Sequence, residues 1–212
     1  MAAKFELKID EAQLSAVKAA VSEIKNGYET VMKNAINRTL STVQTQAVAR
    51  IANDLNLPSA RIKEDFYIRN ATVSKIGGGV YSTGKPVGLY SFGAVDNMSG
   101  VKVRVKKASS AKIINHTFIA TTKHAKAGDV KNVYWREWNK FRTRWNINRR
   151  YAKLPDKYRF KIERRTGPRI EDIYAGDSVF EPVTIQAQTL FVQRVDEEVT
   201  ELFRKIAATG NV

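Results

Sequence analysis

Cysteine is absent from the 212-residue chain, which removes disulfide bridges, thiolate nucleophiles and every cysteine-based metal site. Proline is scarce at 5 residues and glycine stands at 12, so collagen-like and low-complexity classes do not fit. Hydrophobic residues make up 43% of the chain, which argues against wholesale disorder. No unbroken apolar run approaches the ~20 residues that span a bilayer, so no membrane partner is expected. Residues 1–10 alternate apolar and charged side chains with no apolar stretch of signal-peptide type. The expectation is a chain made in the cytoplasm. A chain of this length buries roughly 70% of the surface its unfolded form exposes, enough for a true core.

Acidic residues are also in short supply, with 21 Asp and Glu against 36 Lys and Arg, a net charge of +15. The imbalance is local. Residues 1–101 hold 12 basic and 9 acidic residues, residues 102–169 hold 21 and 4, and residues 170–212 hold 3 and 8. The middle third therefore carries more than the whole net charge. Such a field favours nucleic acid, an acidic protein surface or anionic lipid, and the acidic C-terminal stretch offers a match for the basic middle of a neighbouring copy.

Along the chain, Phe5, Leu7 and Ile9 alternate with charges as a short strand, and Asp10 suits the cap of a following helix. Leu14, Val17, Val21 and Ile24 form one helical stripe. Asn26-Gly27 interrupts it. A second stripe through Tyr28, Val31, Met32, Ala35, Ile36, Leu40, Val43, Ala47, Val48, Ile51 and Leu55 predicts a long helix that stops before Leu57-Pro58. Pro58 suits the start of a short helix reaching about Phe66. From Tyr67 the period becomes two, predicting strands at 67–73, 80–81, 87–90, 101–105, 117–121 and 132–136, with Gly77-Gly78-Gly79 as a hairpin turn. Residues 170–181 read as mixed. Pro182 reads as the start of a last helix with the stripe Ile185, Leu190, Val192, Val195, Val199, Leu202, Phe203 and Ile206. Helices, then strands, then a helix argue a single α+β domain over residues 1–212, with long N- and C-terminal helices packed on a mostly antiparallel sheet. Residues 139–165 fit neither period and read as an inserted basic–aromatic arm or long hairpin.

Catalytic chemistry finds little to work with. His116 and His124 are eight apart with no acid at motif spacing, and the Gly77–Gly79 run lacks the Gly-Lys-Ser/Thr and the following helix of a phosphate loop. Adjacent acids such as Glu64-Asp65 and Glu171-Asp172 diverge on a strand or helix and read as solvated. No catalytic residue, metal site or cofactor is expected. The basic–aromatic segment is different, because cations neutralise phosphates and aromatic rings stack on bases or guanidinium groups. Aromatics and Arg also mark protein interfaces. Protein-interface candidates are therefore Trp135, Trp138, Phe141, Trp145, Tyr151, Ile170, Ile173, Tyr174, Asp196, Glu197 and Glu198. DNA-contact candidates are Lys102, Arg104, Lys106, Lys107, Arg149 and Arg150.

Several short segments in a fixed order carry a family likeness. They are Ala35-Ile36-Asn37-Arg38-Thr39, Leu57-Pro58 through Ile62, Gly88-Leu89-Tyr90-Ser91-Phe92 as a strand ending in Phe, Val101-Lys102-Val103, Phe118-Ile119-Ala120-Thr121 and Val133-Tyr134-Trp135-Arg136. Pro168-Arg169-Ile170, Ile173-Tyr174 and Gly176-Asp177-Ser178-Val179 follow. In this order they resemble the minor tail protein Z family of long-tailed bacteriophages, also called tail completion proteins, over most of residues 35–183. Asp177 stands where the family commonly has Pro, and the basic arm is longer than the family's. The resemblance implies a non-enzymatic virion protein at the head-proximal end of the tail, acting in tail completion and head–tail joining. It further implies a homo-oligomer, with a six-fold ring favoured, beside tail terminator, tail tube or connector proteins and the DNA of the channel. A basic nucleic-acid-binding protein acting independently of a tail is the alternative reading.

Overall fold

The computed structural model describes residues 11–24, 26–124, 128–136 and 162–209. The expected strand at 5–9 and the Asp10 cap lie outside them, as does most of the 139–165 arm. The described residues form an α+β protein of helices with small antiparallel sheets. They fall into two compact units: the described residues within 1–51, 62–84 and 170–212, and those within 52–61 and 85–169.

The first unit is built on helices α1 (Glu11–Ala20) and α2 (Gly27–Asp54), which runs on into the second unit. Asn26 sets the break between them by adopting a left-handed φ of 55°. Its carbonyl then accepts the Thr30 amide as the first bond of α2. From Val31 onward the predicted stripe of α2 is buried, with Val31, Ala35, Leu40, Val43, Ala47 and Ile51 all inaccessible, whereas Tyr28 is half-buried. The short helix α3 (Ser59–Lys63) starts directly after Pro58, as the missing proline N–H favours.

Strands β1 (Phe66–Arg69) and β2 (Gly79–Ser82) pair as an antiparallel hairpin. Gly78 is required there by proximity, since a Cβ would stand 2.5 Å from the Arg69 carbonyl and 2.6 Å from Leu40 Cδ1 of α2. The hairpin is tied to α2 by a reciprocal pair: Asn37 Nδ2 donates to the Ala71 carbonyl (3.1 Å), and the Ala71 amide donates to Asn37 Oδ1 (2.7 Å).

The C-terminal part of this unit differs from the sequence expectation. Residues 170–174 form a short helix, α4 (Ile170–Tyr174), and the last helix, α5 (Asp177–Thr209), begins five residues before Pro182. The Gly176 carbonyl opens α5 by accepting the amides of Val179 and Phe180. Pro182 sits in the second turn, where its missing N–H costs one helical bond. The buried stripe is Val179, Val183, Ala187, Phe191 and Val195, at four-residue spacing. Of the predicted stripe only Val195 is buried; Ile185, Val192 and Phe203 face solvent.

The second unit holds the remaining strands: β3 (Pro86–Gly88), β4 (Val95–Asn97), β5 (Gly100–Val103), β6 (Lys112–Asn115), β7 (Thr117–His124), β8 (Gly128–Arg136), β9 (Ile162–Arg164) and β10 (Thr166–Arg169). They form the antiparallel sheets β4–β5–β6 and β7–β8–β9 and the pair β3–β10. Residues Leu89–Phe92 are a 3₁₀ turn and not the end of a strand. Gly93 closes that turn with φ 72°, and Phe92 is fully buried against Gly167. Leu55, Leu57, Val87, Val101, Val103, Val133 and Tyr134 complete the core of this unit.

Candidate functional site

Charge divides along the same line as the two units. The described residues of the first unit hold 10 basic and 13 acidic side chains, a net −3, whereas those of the second hold 13 and 4, a net +9. One unit of the protein is a polycation and the other is close to neutral.

In the cationic unit, β5 alternates as the sequence implies. Val101 and Val103 are buried, and Lys102 is exposed between them. Register places Lys102 between Val95 of β4 and Ile113 of β6, so the solvent face of this sheet carries a row of Val95, Lys102 and Ile113. Beyond β5, the Asn56 amide donates to the Val105 carbonyl and the Lys107 amide to the Asp54 carbonyl (2.8 Å each). This holds Arg104, Lys106 and Lys107, all exposed, against residues 54–56. Lys106 Nζ lies 3.7 Å from Asp54, and the Arg104 guanidinium donates to the Lys107 carbonyl. The four described DNA-contact candidates thus fall within the six residues 102–107, and all are exposed.

The β7–β8–β9 sheet restrains further cations on aromatic rings. The Arg165 guanidinium lies 4.4 Å from the Trp135 ring, Arg136 5.4 Å from Phe118 and Lys131 5.0 Å from Tyr90. Trp135 Nε1 also donates to Glu163 at 2.7 Å, across a directly paired position of β8 and β9. Trp135, expected at an interface, is therefore half-buried and held within its own unit by Glu163 and Arg165. Asn132 is buried beneath Tyr90, accepting its amide at 3.3 Å. Next to these elements, Pro58, Arg61, Tyr90, Ser91, Gly93, Ala94 and Val95 line an open groove of about 500 Å³.

In the other unit, Ile170 and Tyr174, read from sequence as interface candidates, are fully buried. Tyr174 packs edge-on against Phe66 (5.1 Å) and Phe180 (5.9 Å). The physical reason is α4, whose single turn points both side chains inward and leaves Ile173 half-buried. Burial pushes the Tyr174 phenol up to about 12, and its hydroxyl has no hydrogen-bond partner among the described residues.

The acidic run splits as well. Arg38 of α2 donates to Glu197 and Glu198, each at 2.8 Å, and Asn34 donates to Glu198 at 3.0 Å. These bonds hold the Arg38 guanidinium above its ordinary pKa. Arg194 donates to Thr42 Oγ1 at 2.8 Å, and its pKa is lowered by burial and by Arg38 nearby. Glu197 and Glu198 therefore serve an intrachain seam between α2 and α5. Asp196 is exposed and makes no side-chain ion pair among the described residues. The role of Asn37 and Arg38 was missed in the sequence because their partners, Ala71 and Glu197–Glu198, lie 34 and about 160 residues away.

Trp138, Phe141, Trp145, Tyr151, Arg149 and Arg150 lie outside the described residues. His116 is exposed in the β6–β7 turn with a φ of 60°. Among the described residues no group of three or more His, Asp and Glu could hold a metal ion, and no helix is long and apolar enough to cross a membrane. Comparison with protein-family models, curated proteins and solved structures gives no match.

Proposed function

We propose that the chain is a structural protein of a tailed-bacteriophage particle, acting at the head-proximal end of the tail in tail completion and head–tail joining. In this reading it is a non-catalytic subunit of a ring around the DNA channel, six-fold by preference, in contact with tail terminator, tail tube or connector proteins. The observation that supports it most is the partition of charge, −3 on the described residues of one unit and +9 on those of the other. A subunit with unlike surfaces is suited to repeating head-to-tail contacts, which close into rings when the rotation permits. The ordered segments from Ala35 to Val179 supply the family likeness behind the choice of particle.

The test is genetic. A phage whose copy of this gene carries an early stop codon is expected to yield full heads and separate tails, with joining restored by the protein supplied in trans. Normal joined particles without the protein would refute the proposal. The exposed cations Lys102, Arg104, Lys106 and Lys107 favour one second reading, a nucleic-acid-binding protein acting apart from a tail. That reading requires tight binding of naked DNA by the isolated chain, with affinity falling steeply as salt rises.

A further inference from the structure

Helix α5 carries two apolar stripes, and its own unit uses only one. Val179, Val183, Ala187, Phe191 and Val195 are buried. With 3.6 residues per turn, Glu181, Ile185, Val192, Asp196 and Phe203 fall within about 60° of one another on a different face. Ile185 is 61% exposed, Val192 37% and Phe203 46%. Glu181 and Asp196 are exposed beside them. This face is apolar along its centre and acidic beside it.

The cationic unit presents a surface of the opposite kind. The solvent face of β4–β5–β6 carries Val95, 62% exposed, and Ile113, 46% exposed, on either side of Lys102. Met98 is fully exposed at the tip of the β4–β5 hairpin. Lys102 has no ion-pair partner among the described residues. The spacings also match. Neighbouring strands are about 4.8 Å apart, which puts Val95 and Ile113 about 10 Å apart across Lys102. Ile185 and Val192 are seven residues apart, about 10.5 Å along the helix axis.

We propose that the outer stripe of α5 in one copy docks on the exposed β4–β5–β6 face of a second copy. Ile185, Val192 and Phe203 then meet Val95 and Ile113, while Lys102 reaches Asp196 or Glu181. A second copy is the occupant because each face complements the other in charge as well as in apolar content, and one chain carries both. The contact is heterologous, so an open assembly keeps one free helix face at one end and one free sheet face at the other. This deepens the ring reading by naming its self-contact, and it rests on that reading only for the closure of the chain of contacts into a ring.

Complementation between surface variants of the full chain tests it, with oligomer mass read by light scattering and sedimentation. The wild-type chain is expected to associate with rising concentration. Ile185→Glu and Ile113→Glu are each expected to weaken association by roughly tenfold or more, as loss of a central interface residue does. Mixing these two variants should give a dimer and nothing larger, because the mixture has one intact helix face and one intact sheet face. A misfolded variant could not complement, so the mixture also controls for folding. Lys102→Glu should weaken association, and Asp196→Lys in the same chain should recover part of it. A wild-type chain that stays monomeric, single variants that associate like wild type, or a mixture that forms no dimer would each overturn the proposal. The assay uses purified protein alone. A monomeric chain still needed for joining would sink this contact and leave the phage reading standing, whereas association through these faces with normal joining in the stop-codon mutant would do the reverse.

Discussion

Replacing Tyr174 by Phe should stabilise the protein, although Tyr174 is among its most buried side chains. The ring is inaccessible and packed edge-on between Phe66 and Phe180, so its apolar contacts survive the substitution. The hydroxyl is what changes. It is buried with no hydrogen-bond partner among the described residues, and such a group costs about 1–3 kcal/mol. Tyr174→Phe removes that cost. For a chain of this size each 1 kcal/mol moves Tm by roughly 2–4 °C.

The pH dependence gives an independent check. The folded phenol titrates at about 12 against an ordinary 10.0. Below pH 10 both folded and unfolded forms keep the proton, and the stability from this group is fully present. Between about 10 and 12 the unfolded chain releases the proton first, so stability falls as pH rises. A shift of this size corresponds to about 2–3 kcal/mol over that window. Urea denaturation followed by far-UV circular dichroism at neutral pH and at pH 11 should show the variant more stable at both, with the wider gap at pH 11. A variant less stable than wild type by 1 kcal/mol or more at neutral pH, or a gap that does not widen, would refute the reasoning.

Other substitutions probe the same unit. Val43→Asp puts a carboxylate into a fully buried site on α2 and should cost about 4 kcal/mol or more, seen as loss of soluble protein or of cooperative melting. Gly78→Ala forces a Cβ against the Arg69 carbonyl and Leu40 and should cost about 1–3 kcal/mol in denaturant unfolding. Arg38→Ala breaks the pairs with Glu197 and Glu198, where Arg38 and Glu197 are about half exposed and Glu198 is largely buried. Its cost, discounted for solvent screening, should be about 0.5–1 kcal/mol and shrink in high salt.

Local patterning made much of this fold legible. The α2 stripe and the break at Asn26-Gly27 follow from helical period and backbone preference, both properties of neighbouring residues. Pro58 before α3 and the alternation of β5 were readable for the same reason. The α5 stripe was not. Ile185, Val192 and Phe203 satisfy the helical period as well as Val183, Ala187 and Phe191 do, and only tertiary packing decides which face turns inward. Pro182 misled because proline at a helix start is common, whereas the Gly176 carbonyl had already opened α5. Leu89–Phe92 has strand-like composition, yet Gly93 closes it as a 3₁₀ turn.

The candidate site was legible in charge and not in partnership. Exposed Lys102, Arg104, Lys106 and Lys107 follow from an alternating strand and a basic run. The pairing of Arg38 with Glu197 and Glu198, and of Trp135 with Glu163 and Arg165, depends on long-range contacts that no local pattern encodes. Tyr174 looked like an anchor for a partner and turned out to anchor its own core.

The central claim is that this chain sits in a joined phage particle at the head-proximal end of the tail. Electron microscopy of purified particles carrying a gold-labelled epitope on the chain measures that directly. The account predicts label confined to the junction of head and tail. Label along the tail, at its distal tip, inside the head, or absent from purified particles would contradict it.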